Sequence, residues 1–140
     1  MGVHESQSLL WERMVFQSRE FWEYMTPSVL HAFFPHTAET CSPADLYAFV
    51  NRVRPDLIRV DADELTYPLH IILRFEMEKK LFAGSMNVAD LPSHWNAMMK
   101  ESLGVDVPSD AKGVLQDIHW GIGALGYFPS YTLGAMVTLC

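Results

Sequence analysis

A mostly α-helical fold with little or no sheet is what this sequence predicts, and three observations carry that reading. Apolar residues recur at three- and four-residue spacings over most of the chain. Helix starts marked by Ser or Thr before Pro recur through it, as at Ser42-Pro43. Only one brief stretch, Leu57 to Val60, reads as extended.

The elements follow in order. Leu10, Met14, Phe21 and Met25 lie on one helical face, which predicts a helix from about Ser6 to Met25. Thr26-Pro27 reads as a fresh helix start, running to about Phe34 before Pro35 ends it. Ser42-Pro43-Ala44-Asp45 is the strongest start in the chain: Ser caps, Pro opens, and Asp sits where the helix dipole favours negative charge. Leu46, Phe49, Val50 and Val53 then form a predicted core-facing stripe, closed by Pro55. Leu57 to Val60 reads as a brief extended piece. Asp61, Asp63 and Glu64 mark the next helix start. Leu65, Leu69, Ile72, Leu73, Leu81 and Phe82 carry its apolar face, with Lys79, Lys80 and Gly84 at its end. Pro68 must kink that helix or delay its start. Pro92 opens a further helix with Trp95, Met98, Met99 and Leu103 inward, stopped by Gly104. A loop around Asp106 to Pro108, a polar-aromatic stretch to Pro129 and an uncapped apolar segment from Tyr131 to Cys140 complete the chain.

Composition bounds the function. The 140 residues suffice for one helical domain, 1–140, burying roughly 70% of its unfolded surface. A net charge of -7 excludes a nucleic-acid surface, which needs a basic stripe. No stretch of about 18 apolar residues exists to span a membrane. Two cysteines and no signal peptide fit a reducing, cytoplasmic setting. The abrupt apolar ends lead us to expect a piece of a larger protein, whose bared aromatic and Met-rich faces favour a homodimer or higher self-association.

Several residues can carry chemistry. Glu5, in Val3 to Ser8, is a possible metal ligand or a solvated helix-start carboxylate. A catalytic zinc needs about three protein ligands. The motif H-E-x-x-H is missing, because no two of the six histidines are four apart. Arg59, between apolar neighbours, is either paired with one of the acids behind it or offers a guanidinium fork to a carboxylate ligand. Gln116, Asp117, His119 and Trp120 form a polar cluster in which His119 is an oriented acid or base, or a hydrogen-bonded core histidine. Tyr127 and Tyr131 are oxyanion donors or core rings. Gly121 to Gly126 spells G-x-G-x-x-G, but no βαβ unit surrounds it. Those glycines read as close-packing positions.

Three motifs in order, H-E-S-Q at His4 to Gln7, I-R-x-x-A-D at Ile58 to Asp63 and G-x-x-Q-D-x-H-W at Gly113 to Trp120, resemble the carboxypeptidase Taq family of zinc metallocarboxypeptidases. The tail from Gly126 to Gly134 resembles it too. The resemblance implies a helical, zincin-like array acting on peptide C-termini. It implies that Glu5 is the third zinc ligand, beside two histidines from an H-E-x-x-H segment this chain does not include. Arg59 would bind the substrate carboxylate. His119 would face the active-site groove and help stabilise the tetrahedral intermediate, supported by Gln116 and Asp117, with Tyr127 and Tyr131 as further contacts. By the same logic the 140 residues alone would be inactive and would not retain zinc. The alternative is a non-catalytic helical module for peptide binding or self-association.

Overall fold

A computed structural model describes residues 2–33 and 41–138. Among them are six α-helices and no strand: α1 Gly2–Leu9, α2 Arg19–Phe33, α3 Pro43–Val50, α4 Tyr67–Phe82, α5 Leu91–Leu103 and α6 Pro129–Thr138. Short 3-10 turns link them, and a π-helical segment, Leu10–Phe16, follows α1.

The first predicted helix is therefore two. The chain widens into the π segment, where Gln17 N–H reaches back five residues to Glu12 O at 3.1 Å. Ser18 then caps α2, accepting from Phe21 N–H at 3.1 Å while donating to Val15 O. The expected restart at Thr26-Pro27 does not occur, and Pro27 lies inside α2. The Thr26 hydroxyl turns back onto the Trp22 carbonyl in that stretch. The predicted end at Phe34 and Pro35 lies outside the described residues.

Ser42 forms the predicted reciprocal capping box with Asp45. The stripe behind it is not core, however. Phe49 is 74% exposed, and α3 packs only one flank on α2. Arg59–Asp61 is a 3-10 turn, with Ile58 extended ahead of it. Pro68 delays the next helix and does not kink it, since it sits in the first turn of α4. The side chain of Asp63 prepares that start, accepting from the N–H groups of Leu65 and Thr66.

The apolar core is built by α4, α5 and the segment after Gly113. Leu73, Met77, Met86, Leu91, Trp95, Met99, Leu103 and Val114 form one buried cluster. Gly104 closes α5 in the left-handed region at φ 72°, a conformation glycine adopts without a Cβ penalty. The buried face of α4 differs from the one its apolar spacing suggests. Ile72, Leu65 and Phe82 are exposed, whereas His70, Arg74 and Glu78 are buried beside Ile71, Leu73 and Met77.

Candidate active-site cleft

α1 carries Glu5, and its position is set by α6. The two helices meet at small residues: a Cβ on Gly134 would stand 2.8 Å from the Glu5 Cβ and 3.0 Å from the Gly2 carbonyl. Thr138 donates to Ser6 O at 2.9 Å across the same seam. Only at this spacing does Glu5 share a wall with residues of α6.

Opposite stands Arg59, buried on its 3-10 turn. Gln116 grips the backbone there, accepting from Arg59 N–H at 2.8 Å and donating to Leu57 O at 3.0 Å. Asp117 accepts from Arg59 Nη2 at 2.7 Å and from Nε at 3.1 Å. Arg59 Nη1 donates to the Tyr67 hydroxyl at 2.9 Å. The partner of Arg59 is thus Asp117, 58 positions on, and not the acids next to it. Burial draws the Arg59 pKa down, and the hydrogen bonds and charge of Asp117 raise it above its ordinary value. The guanidinium also lies 5.3 Å from the centre of the Tyr131 ring.

These residues share one cleft of about 310 Å³, lined by Glu5, Arg59, Tyr67 and Tyr131, with Glu12, Arg13 and Glu64 at its side. His119 and Tyr127 stand behind Tyr131 and do not line that cleft. His119 Nε2 is 3.4 Å from the Tyr131 hydroxyl, and its Nδ1 is 3.7 Å from Asp117. The second distance is too long for a hydrogen bond, and Nδ1 has no partner. Burial holds the His119 pKa below its ordinary value, with Asp117 opposing that shift. The Tyr131 hydroxyl is pushed up to about 12, by burial first and then by Tyr127. It stays protonated at neutral pH and can donate.

Glu5 fits one position of a zinc site, an oxygen donor on an open cleft wall. Among the described residues no set of three or more His, Cys, Asp or Glu side chains is placed to hold a metal. The remaining ligand positions are therefore not filled by these residues. Tyr67, Arg13 and the buried Arg74–Glu78 pair went unread in the sequence. Tyr67 looks like one more helix-start aromatic until Arg59 is found to donate to it.

The chain belongs to the carboxypeptidase Taq (M32) metallopeptidase family, whose model matches residues 1–139. It is 46% identical over 136 residues to Carboxypeptidase 1 of Bacillus subtilis, covering 97% of this chain and 27% of that protein. It is 48% identical over 135 residues to Thermostable carboxypeptidase 1 of Thermus thermophilus, covering 96% of this chain and 26% of that one. The crystal structure of an M32 carboxypeptidase from Deinococcus radiodurans superposes with a TM-score of 0.91 at 45% identity, over 98% of this chain and 28% of that one. The chain thus spans about a quarter of the length of these relatives. The helical fold read from the sequence is the family's fold. No helix among the described residues is long and apolar enough to cross a membrane.

Proposed function

We propose that these residues form one wall of a zinc carboxypeptidase site that hydrolyses single residues from peptide C-termini. The observation that carries this reading is the cleft itself, which brings Glu5 of α1, Arg59 of the 3-10 turn and Tyr131 of α6 to one concavity. Glu5 is the third metal ligand, completed by two histidines from an H-E-x-x-H segment outside this chain. Zinc, when bound, supplies Lewis-acid polarisation of the scissile carbonyl.

The chain's own residues do the rest. Arg59 lines the wall against which the substrate lies, held in place by Gln116 and Asp117. Tyr131 donates a hydrogen bond towards the developing oxyanion, and its raised pKa keeps the proton available. His119 backs that hydroxyl, and Tyr127 packs against both rings. With one metal ligand among the described residues, the 140-residue chain is inactive alone and does not retain zinc.

The test joins this chain to an upstream H-E-x-x-H segment from a family member. The joined protein is expected to bind one zinc ion and release C-terminal amino acids. Glu5→Gln removes a direct ligand and should weaken zinc binding by more than the roughly 10- to 100-fold that follows loss of an outer-shell partner. Absence of zinc from the joined protein would defeat the reading.

A second reading, self-association without catalysis, is favoured by a shallow apolar groove. Ile72, Phe75 and Leu133 stand exposed along it, between α4 and α6. Light scattering decides it: a clean monomer at high concentration rejects association.

A further inference from the structure

We propose that Arg13, in the π-helical segment, is the group that docks a ligand carboxylate in this cleft. This rests on the carboxypeptidase reading and names a residue that none of the three sequence motifs contains. All three side-chain nitrogens of Arg59 already donate, two to Asp117 and one to Tyr67. Its charge is answered within hydrogen-bonding distance by a buried carboxylate. A ligand carboxylate approaching Arg59 meets a guanidinium already neutralised.

Arg13 is in the opposite condition. Its side chain is only 9% exposed, yet among the described residues it makes no hydrogen bond. Its nearest carboxylate, Glu64, is 3.9 Å away and half exposed. Its guanidinium stands 5.6 Å from the centre of the Tyr67 ring, on the cleft side. A guanidinium carries five N–H donors in a planar fork suited to a carboxylate. Its stem is packed away while its nitrogens, none of them fully buried, stay open to the cleft, so the fork is free to be accepted by a group that enters there. Its orientation comes from the wide turn of the π segment, closed by Gln17 N–H on Glu12 O, a distortion that recurs at functional sites. Glu64 is then a weak competitor that occupies the cation until a stronger carboxylate arrives.

The experiment measures binding of an N-acetylated dipeptide with a free C-terminal carboxylate, and of the same peptide as its C-terminal amide, to the intact protein by calorimetry. The acid is expected to bind more tightly than the amide. Arg13→Gln should weaken the acid about tenfold or more and leave the amide unchanged, the loss of a charge-assisted fork. Arg13→Lys, which keeps the charge without the fork, should recover part of that loss. Glu64→Gln removes the competitor and should tighten the acid several-fold, an effect that damaged folding cannot imitate. An acid preference that survives Arg13→Gln overturns this assignment and leaves the carboxypeptidase reading standing. Unchanged or weaker acid binding in Glu64→Gln likewise overturns it. No acid preference in the unaltered protein overturns the assignment and the reading together.

Discussion

Asp117 and Arg59 form a pair whose two side chains are almost wholly withdrawn from water. Taking both from solvent is costly, and their mutual attraction offsets that cost only while both remain. Asp117→Asn keeps the shape and removes the charge, leaving the Arg59 cation buried beside the Phe128 and Tyr131 rings. We expect a loss of roughly 3–5 kcal/mol, read as a lowered urea midpoint with an unchanged slope. A loss below about 1 kcal/mol would mean the pair behaves like a solvated surface bridge. His70 supplies a second prediction at this scale. It is buried, and burial, reinforced by Arg59, lowers its pKa below 6.5 against the opposing pull of Asp117 and of the Asp56 backbone. The unfolded chain therefore binds a proton near pH 6.5 that the folded chain refuses. Stability is fully present above that value and falls as pH drops from it towards the folded pKa, with a slope of up to about 1.4 kcal/mol per pH unit from this group. His119 is shifted in the same direction and adds to it. Thermal melts between pH 7.5 and 5.5 should show the decline, and His70→Leu should flatten it. A slope identical in the variant would show that His70 takes up its proton alike in the folded and unfolded chains.

The seam between α1 and α6 is where an element's geometry governs the cleft. Gly134→Ala puts a methyl 2.8 Å from the Glu5 Cβ, and the nearby Gly2 carbonyl at 3.0 Å belongs to helix backbone that cannot turn aside. The helices must part, at a cost of about 1–3 kcal/mol. The prediction has two readouts: a lower melting temperature, and shifted backbone resonances for Glu5 and Ser6 with α5 unaffected. A melting loss without movement at Glu5 would detach the seam from the site. Local chemistry made some elements legible in the sequence and hid others. Ser42 and Asp45 fix the start of α3 because both hydrogen bonds of the capping box lie within four residues. Pro92 and Gly104 bracket α5 for similarly local reasons. The split between α1 and α2 was hidden. A π segment keeps apolar residues at near-helical spacing, and the cap at Ser18 has no Pro beside it to announce it. The stripe on α3 obeyed the helical period, yet Phe49 and Val53 face solvent and Leu46 and Val50 are only half-buried, because periodicity reports a face without saying what covers it. For the cleft, the motifs supplied Glu5, Arg59 and Tyr131. Arg13 carries no motif, and its place depends on a turn the spacing cannot show.

Across the whole molecule, the apolar core and the polar cleft are joined by one buried ion pair. Arg74 and Glu78 lie a turn apart on α4, with Nε to Oε1 at 2.8 Å. The guanidinium lies 3.1 Å from the centre of the Trp120 ring, and its Nη1 and Nη2 have no hydrogen-bond partner. Glu78 Oε2 accepts from Gly126 N–H at 2.6 Å. Trp120, in turn, donates its indole N–H to Val114 O, and Val114 belongs to the core cluster. The pair thus ties α4 to both ends of the stretch from Trp120 to Gly126, which leads into the rings of Tyr127, Phe128 and Tyr131. Sequence spacing placed neither residue inside, because an i,i+4 Arg–Glu pair is ordinarily a solvated helix face. The energetics make a sharp prediction. Glu78→Gln leaves Arg74 buried without its hydrogen-bonded counter-charge and should cost roughly 3–5 kcal/mol, whereas Arg74→Met with Glu78→Leu together should cost less than that single change. Glu78→Leu also frees the Gly126 N–H, so the double variant should show faster amide exchange from Gly121 to Tyr127 even where its melting temperature is recovered. Recovered stability with unchanged exchange would mean the pair serves the core alone. Faster exchange there would show that the core holds the aromatic wall of the cleft through Glu78.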